Sequence, residues 1–332
     1  MPEFDRFALV LDDLPLPAGD ILFIRANEGE TTRLVGVKQL LCEQSFKPEY
    51  DRLLNVGLRV VTTATGLFRL ILLNATRSKT ETLGSIARVW QMLVAGGTLL
   101  VNADKTESAD SLLKHLRANL PVTAAYSKSH GRLIRLDKTN EPAPDWAKDL
   151  QPTTNADGFW RAPGSFSADK VDVGSKLLAG HFGRDLKDRV ADLGAGWGYL
   201  SAQLLLAAPE VSEIHLFEAE AKALDCARLN VPDAKAQFHW ADVTSLAKTE
   251  PFDAVICNPP YHTNRAADPS LGNAFIAAAG RMLRPNGKAW FVANRNLPYE
   301  ATLAATFVKV TRTAQNSGFK VFLCERPKSG RR

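Results

Sequence analysis

The glycine-rich turn that holds Gly194, Gly196 and Gly198 constrains the fold of this chain more than any other feature. An apolar strand pattern that contains Asp192 lies directly before it, and a helical pattern over residues 199–208 begins directly after it. A strand, a glycine turn and a helix in this order are typical of a parallel α/β sheet, because glycine lets the backbone pass close to a nucleotide-like ligand. We therefore predict an α/β fold with a ligand site at this turn.

Three acidic side chains are candidates for holding that ligand. Glu218 ends the next strand pattern, where a carboxylate can accept hydrogen bonds from ribose hydroxyls. The same order of elements serves NAD enzymes, but Asp192 can meet a methionine ammonium group, and the Gly-x-Gly-x-Gly spacing differs from the one that a pyrophosphate usually requires. Both details favour S-adenosylmethionine. Asp242 follows a third strand pattern and is equally consistent with a contact to the adenine amino group and with a turn or helix cap.

A second motif, formed by Asn258, Pro259, Pro260 and Tyr261, follows a buried strand pattern over residues 252–257. The side-chain oxygen of Asn258 and the main-chain carbonyl of Pro259 can each accept one hydrogen of a planar amine, which favours a pyramidal nitrogen with its lone pair aimed at a methyl group. The two prolines stiffen the turn, and the Tyr261 ring offers a face on which a base can stack. With the glycine turn, this motif predicts methyl transfer to an exocyclic or amide nitrogen.

Charge, cysteine content and the residue after this motif bear on partners and compartment. His262 is a candidate for substrate contact, although a lone histidine also fits a partly exposed polar position. The net charge of +5 modestly favours a polyanionic substrate. The four scattered cysteines lack metal-type spacing, so we predict reduced thiols, no bound metal and a cytoplasmic location. No apolar run approaches the length needed to cross a membrane, and no signal-peptide pattern is evident.

The first half of the chain repeats the order of elements of the second half. Residues 68–101 and residues 252–293 both show a strand pattern, an asparagine, a helical pattern, a glycine and a further strand pattern. Asn74 stands in the first copy where Asn258 stands in the second. Upstream, residues 25–29 replace the glycine-rich turn. We predict a duplicated nucleotide-binding fold whose first copy lacks the cofactor turn, although two unrelated α/β domains can share this rhythm.

The composition of the middle of the chain predicts the domain boundaries. Pro142, Pro144 and Pro152, with several polar residues, mark the junction within residues 140–157, and we predict the linker at residues 146–158. Residues 1–145 are then a degenerate methyltransferase-like domain that serves RNA recognition or folding support, and residues 159–332 are the catalytic domain. Within the latter, the segment from Asp172 to Ser175 is expected to open a helix over residues 176–182.

The chain resembles the bacterial ribosomal RNA guanine-N2 methyltransferases of the small-subunit methyltransferase C type. The resemblance covers essentially all of residues 159–326 and rests on layout alone before that. The matching segments are Pro163-Gly164-Ser165-Phe166-Ser167, the Asp-x-Gly-Ser-x-Leu-Leu run within residues 171–178, the glycine turn, Asn258 through His262, and the final strands. The departures, Val171 and the residues between the glycines, Ala195 and Trp197, leave the expected chemistry in place.

That resemblance implies two tandem Rossmann-like class I methyltransferase domains, each with a seven-stranded, mostly parallel sheet. It implies S-adenosylmethionine in the second domain, with Phe166 and Ser167 near the cofactor and the entering base. The implied reaction is methyl transfer to N2 of a guanine in 16S ribosomal RNA, and the implied partner is ribosomal RNA or the small ribosomal subunit. Arg295 and Lys320 are candidates for phosphate contact, or are ordinary surface charges. The oligomeric state stays open.

Three other functions fit parts of the pattern. A protein glutamine-N5 methyltransferase can use the same Asn-Pro-Pro-Tyr motif, but the duplicated first half and residues 160–178 argue against it. An adenine-N6 methyltransferase is chemically equivalent at this motif. A noncatalytic RNA-binding or ribosome assembly factor would retain a relic site, and the intact acidic residues, glycines and Asn258 count against that alternative.

Overall fold

The structure, a computed structural model, describes residues 6–12, 19–31, 34, 36–142, 144–246, 249–260, 262–263, 266–267 and 269–328. The chain divides into two compact units. The first comprises Met1–Pro152 and Ala162–Gly164, and the second comprises Thr153–Arg161 and Ser165–Arg332. No helix within the described ranges is long and apolar enough to cross a membrane.

The first unit contains one seven-stranded sheet in the order β3-β2-β1-β4-β5-β7-β6. Strand β7 runs antiparallel to both of its neighbours, and the other pairings are parallel. Its elements are α1 (Ala8–Leu11), β1 (Ile21–Ile24), α2 (Glu28–Thr31), β2 (Leu40–Glu43), α3 (Lys47–Asn55), β3 (Val60–Val61), β4 (Phe68–Asn74), α4 (Lys79–Gln91), β5 (Leu93–Asp104), α5 (Ala109–Asn119), β6 (Val122–Lys128) and β7 (Gly131–Asp137).

Part of the segment predicted as a linker, residues 146–158, is packed rather than extended. Ala147–Leu150 forms a 3-10 helix that lies against α4. Trp146 packs on the core of the first unit and contacts the His115 ring, with ring centroids 5.0 Å apart. The prolines around this segment favour a linker locally, but burial of the indole ring holds its first half on the first unit.

The second unit contains a sheet of the same design, in the order β12-β11-β10-β13-β16-β18-β17. Strand β18 is antiparallel to both of its neighbours, and the rest are parallel. Its elements are β8 (Thr153–Thr154), β9 (Trp160–Arg161), α6 (Val173–Ala179), β10 (Asp188–Leu193), α7 (Tyr199–Ala207), β11 (Val211–Glu218), α8 (Ala221–Asn230), β12 (Ala236–Trp240), β13 (Phe252–Cys257), β14 (His262–Thr263), β15 (Ala266–Ala267), α9 (Pro269–Met282), β16 (Leu283–Asn294), α10 (Glu300–Thr306), β17 (Phe307–Gln315) and β18 (Phe319–Pro327). The predicted pair of mostly parallel seven-stranded α/β sheets is confirmed.

Both faces of the second sheet are buried, by alternate residues of the same strands. In β10, Ala191 and Leu193 belong to a cluster that includes Ile276 of α9, whereas Val190 belongs to a cluster on the other face with Leu204 of α7. A parallel sheet covered by helices on both sides has strands that are apolar at nearly every position. This is why the strand patterns are apolar runs rather than alternating ones.

The strand order places the site of the second unit. The chain steps outward from β10 to β11 and β12, then crosses to β13 on the other side of β10. At such a switch point the connections leave in opposite directions, and a crevice opens at the carboxyl ends of the strands. Leu193 and Cys257 are register partners in adjacent strands. The glycine turn and Asn258 therefore leave the same edge of the sheet side by side.

Candidate active site

The glycine turn has the backbone conformation that its sequence predicts. Gly194, Gly196 and Gly198 all have positive φ, at 72°, 56° and 89°. A side chain on Gly198 would lie 2.9 Å from Val231, whereas at Gly196 no atom of the described residues lies within 4 Å of such a position. The third glycine thus permits close packing, and the second leaves backbone exposed for a ligand.

Asp192 is a fully buried carboxyl group with one unsatisfied oxygen. Its Oδ2 accepts a hydrogen bond of 2.7 Å from Ser201 Oγ, and its Oδ1 is buried without a hydrogen-bond partner among the described residues. Burial raises the pKa of Asp192 to about 7, the Ser201 hydrogen bond opposes this rise, and the charge of Glu218 adds to it. A buried acceptor without a donor is costly, so the unpaired oxygen fits the predicted contact with an ammonium group, which stays a prediction.

Glu218 closes the glycine turn through its own carboxylate. Its Oε2 accepts from the Gly196 backbone N–H at 2.8 Å, and its Oε1 accepts from the Glu220 N–H at 2.8 Å. Burial raises the pKa of Glu218, and these backbone hydrogen bonds counteract the rise. Each oxygen keeps a second lone pair, which fits the predicted role as an acceptor for ribose hydroxyls.

Asp242 forms a turn, which is one of the two roles predicted for it. Its Oδ1 accepts from Thr244 N at 2.8 Å and from Thr244 Oγ1 at 2.7 Å. These bonds use one oxygen only. A contact from the other oxygen to an adenine amino group stays a prediction.

Asn258 is held by two residues that precede α6. Its Nδ2 donates to Asp172 Oδ2 at 3.0 Å and to Ser175 Oγ at 2.9 Å. No hydrogen bond reaches Asn258 Oδ1 from any residue that the structure describes. Pro259 is buried and Pro260 half-buried. Tyr261 lies outside the described residues, and so does the side chain of His262, whose backbone belongs to β14.

Phe166 and Ser167 lie in a loop that is tied to the glycine turn. The Phe166 ring is 59% exposed, and its carbonyl oxygen accepts from Trp197 Nε1 at 3.0 Å. Ser167 has a φ of 51° and donates through Oγ to the Lys170 carbonyl at 2.7 Å. Trp197 departs from the family pattern, and its indole N–H joins the glycine turn to the loop that contains Phe166. Its position between Gly196 and Gly198 is the sequence feature that could have indicated this role.

The two predicted phosphate contacts differ in their surroundings. Arg295 is exposed directly after β16. Lys320 is only 5% exposed, and its Nζ donates to Glu300 Oε1 at 2.6 Å. The Lys320 ammonium is therefore paired with Glu300, and the predicted contact with phosphate stays a prediction.

Metal-ligating side chains do not gather at this site. Across the described ranges, no group of three or more histidine, cysteine, aspartate or glutamate side chains is arranged to hold a metal ion. Cys257 is buried and donates through Sγ to the Leu193 carbonyl at 3.2 Å. Burial raises the pKa of this thiol well above its ordinary value, and the charge of Asp192 adds to the rise, so Cys257 is a packing residue.

In the first unit, side chains bond to one another at the corresponding strand ends. Glu30 is 7% exposed and accepts from Asn27 Nδ2 at 2.6 Å, from Asn102 Nδ2 at 3.0 Å and from Asn74 Nδ2. Asn102 Oδ1 in turn accepts from Arg6 Nη1 at 2.8 Å. The asparagine that corresponds to Asn258 thus has its amide directed at a carboxylate of its own unit. The role predicted for this unit stays a prediction.

We expect Glu30→Ala to destabilise the first unit by about 2–4 kcal/mol, because it removes the acceptor shared by the half-buried Asn27 and Asn74 amides and the buried Asn102 amide. Urea unfolding of the full chain measures the change. Asp20→Ala, at an exposed position directly before β1, is the control and is expected to change the free energy of unfolding by less than about 0.5 kcal/mol. Equal midpoints for the two variants would show that the network does not stabilise the unit.

Comparisons with known proteins agree with this geometry. The model of the methyltransferase small domain family matches residues 157–323. Ribosomal RNA small subunit methyltransferase C of Shewanella sp. strain MR-4 is 32% identical over 242 residues, which are 70% of each chain. Ribosomal RNA large subunit methyltransferase G of Shewanella amazonensis is 26% identical over 337 residues, covering 96% of this chain and 84% of the relative.

A solved structure shares both units. The T. thermophilus 16S rRNA N2 G1207 methyltransferase, in complex with AdoMet and guanosine, superposes with a TM-score of 0.80 at 25% identity and covers 95% of this chain and 90% of its own. The family match spans half of the chain, and the small-subunit relative exceeds 30% identity over more than two thirds of its length. The chain therefore belongs to the methyltransferase small domain family and, within it, to the class I S-adenosylmethionine-dependent methyltransferases of the small-subunit methyltransferase C type.

Proposed function

We propose that this enzyme transfers a methyl group from S-adenosylmethionine to the exocyclic N2 amine of a guanine in 16S ribosomal RNA. The observation that carries the proposal is the orientation of Asn258. Both hydrogens of its amide are engaged on the protein side, so its oxygen remains as an acceptor beside the glycine turn. The names of the small-subunit relatives and of the T. thermophilus enzyme support the choice of guanine and of 16S RNA.

The residues around the glycine turn fit S-adenosylmethionine. The unpaired Asp192 Oδ1 suits its ammonium group, the Glu218 carboxylate suits its ribose hydroxyls, and the open backbone at Gly196 admits it closely. Asp242, Phe166 and Ser167 complete the predicted cofactor side. When bound, this cofactor supplies an electrophilic methyl group on a sulfonium.

On the substrate side, the protein orients a weak nucleophile. The N2 lone pair of guanine is delocalised into the ring, and two acceptors, Asn258 Oδ1 and the Pro259 carbonyl, favour the pyramidal form that can attack. The buried Pro259 keeps its carbonyl in place. Tyr261 and His262 are the predicted contacts to the base, which must leave its stack if it is paired. The proton lost from N2 can pass to water.

Ribosomal RNA of the large subunit is the second candidate substrate. The match to large subunit methyltransferase G has lower identity but extends over nearly the whole chain, including the first unit. The Asn-Pro-Pro-Tyr motif of this chain can act on a guanine amine in either RNA, so the choice depends on what the first unit and the exposed basic residues recognise. We place the enzyme in the cytoplasm, where either subunit is available.

The deciding experiment supplies radiolabelled S-adenosylmethionine with purified small subunits, large subunits, naked 16S and 23S RNA, and ribosomal protein fractions. We expect label in 16S RNA that is recovered, after digestion, as N2-methylguanosine. Label in 23S RNA would transfer the function to the large subunit. Label in N6-methyladenosine or in protein glutamine would replace guanine as the target, and binding of the cofactor without label in any fraction would overturn the proposed substrate.

A further inference from the structure

Asn258 is fixed in one orientation by a carboxylate and a hydroxyl that lie 86 and 83 residues earlier in the chain. Its Nδ2 is 3.0 Å from Asp172 Oδ2 and 2.9 Å from Ser175 Oγ. A primary amide has two hydrogens on that nitrogen, and these two acceptors engage both. The three side chains form a closed group at the carboxyl end of β13.

The chemistry of Asp172 decides which way the amide points. An ionised carboxylate only accepts hydrogen bonds. If the amide were turned over, Asn258 Oδ1 would face a carboxylate oxygen, and two acceptors would oppose each other without a proton. Ser175 alone does not impose this choice, because a hydroxyl can donate as well as accept. Asp172 therefore selects the orientation and Ser175 supports it.

Asp172 is itself held in place by the start of α6. It is the N-cap of that helix, and the same Oδ2 accepts from the Ser175 backbone N–H at 2.8 Å. The helix approaches β18 closely, since a side chain on Gly174 would lie 2.8 Å from the Phe319 ring. Close packing without a side chain at this point keeps the cap, and with it the carboxylate, at a constant position relative to the sheet.

We infer that Asp172 and Ser175 are positioning residues for catalysis, which hold the Asn258 amide so that its oxygen, and not its nitrogen, meets the target amine. The inference rests on the proposed function. An amide free to turn would present N–H donors to the amine for part of the time, and a donor cannot accept the amine hydrogens. The consequence is a slower chemical step, with cofactor binding left intact.

Two substitutions at one position separate this role from helix capping. Asp172→Ser keeps an N-cap side chain but is too short to reach Asn258. Asp172→Asn keeps an acceptor oxygen of the right length for both bonds. We expect Asp172→Ser to lower the single-turnover methylation rate by about 10- to 100-fold, in line with the effect of small misplacements at reacting groups, and Asp172→Asn to retain most of the rate. Ser175→Ala, which keeps the backbone N–H of the cap, is expected to lose about 3- to 10-fold.

A double-mutant cycle with Asn258→Ala tests whether the effect of Asp172→Ser on the rate depends on the Asn258 side chain. A purely structural role of Asp172 would not depend on it. If Asp172 acts through Asn258, Asp172→Ser has no further effect, within about twofold, once Asn258 is alanine. The dissociation constant for S-adenosylmethionine, measured by calorimetry, is expected to change less than about threefold in Asp172→Ser. Multiplicative losses in the double variant, or a wild-type rate in Asp172→Ser, would overturn the inference.

Failure of the proposed function has a different signature. If Asn258→Ala keeps the wild-type rate, the site assignment fails and the positioning role fails with it. If Asn258→Ala is slow while both Asp172→Ser and Ser175→Ala are as fast as the wild type, only the positioning role is wrong. If Asp172→Ser does not fold, Ser175→Ala and its combination with Asn258→Ala decide the question.

Discussion

Replacement of Asn258 by alanine is expected to lower the rate of methyl transfer by about 100- to 1000-fold, the range found when a single positioned hydrogen-bonding group is removed from an active site. The variant loses the Oδ1 acceptor that the amide of Asn258 presents beside the glycine turn, so the target amine keeps its planar, unreactive form more of the time. Single-turnover kinetics with saturating S-adenosylmethionine measures the chemical step directly.

Cofactor affinity separates this loss from a damaged fold. The side chain of Asn258 bonds only to Asp172 and Ser175 among the described residues, whereas the Asp192 carboxyl and the glycine turn belong to the neighbouring strand end. We therefore expect the dissociation constant for S-adenosylmethionine to stay within about threefold of the wild type. Asn286→Ala, at an exposed position in β16, is the control and should match the wild type in rate. A fast Asn258→Ala enzyme would remove Asn258 from the mechanism.

The second large effect concerns Asp192, where function and stability are expected to oppose each other. Asp192→Asn removes the charge that we propose meets the cofactor ammonium, and loss of a charged hydrogen-bonding partner of this kind costs about 2–4 kcal/mol. At 25 °C this corresponds to a dissociation constant for S-adenosylmethionine that is about 30- to 1000-fold higher. Isothermal titration calorimetry at pH 8 measures it.

The same substitution is expected to stabilise the cofactor-free protein at high pH. The pKa of Asp192 is raised to about 7 in the folded protein, against about 3.9 in an unfolded chain. The folded state therefore holds a proton that the unfolded state releases, and wild-type stability falls as the pH rises through this window. The full effect of such a rise is about 4 kcal/mol. The new, unpaired amide hydrogens of asparagine offset part of it, and we expect a net gain of about 1–2 kcal/mol at pH 8.

Unfolding of both proteins at pH 5 and pH 8 tests the sign. At pH 5 the Asp192 carboxyl is already protonated in the folded state, so the advantage of the variant should shrink or vanish. Asp188→Asn, at the exposed beginning of the same strand, controls for a general change in charge. If the variant is less stable than the wild type at pH 8, burial of the ionised Asp192 carboxylate does not destabilise the folded protein.

Local patterns predicted the strands and turns that build the site, and they were less accurate where backbone pairing extends past a sequence signal for a turn. The glycine turn, β12 and β13 lie where the sequence places them. Strand β16 begins at Leu283, before the Pro-Asn-Gly segment that interrupts the apolar pattern, because a register shift against β13 accommodates that segment. Helix α6 begins at Val173, because the Asp172 carboxylate satisfies the Ser175 N–H.

Contacts between distant segments were not predictable from such patterns. Neither spacing nor periodicity indicates that the Asn258 amide meets Asp172, or that one oxygen of Asp192 lacks a donor. Lys320 illustrates the same limit: a lysine near the end of a basic chain suggests a surface charge, yet its place on β18 buries its side chain and pairs it with the exposed Glu300. These features depend on which segments the sheet brings together, and only the folded chain determines that.

The polar network in the first unit has a consequence for how the two halves respond to the supply of cofactor. Glu30 belongs to the chain itself, so the amide donors of Asn27 and Asn102 have their acceptor at all times. In the second unit, the proposed partner of the Asp192 oxygen is the cofactor, which comes from solution. The stability of this unit therefore increases with the ratio of the free cofactor concentration to its dissociation constant. We therefore expect the free energy of unfolding of the first unit to stay constant when S-adenosylmethionine is depleted. The second unit loses the stabilisation that the bound cofactor provides and becomes more accessible to proteases.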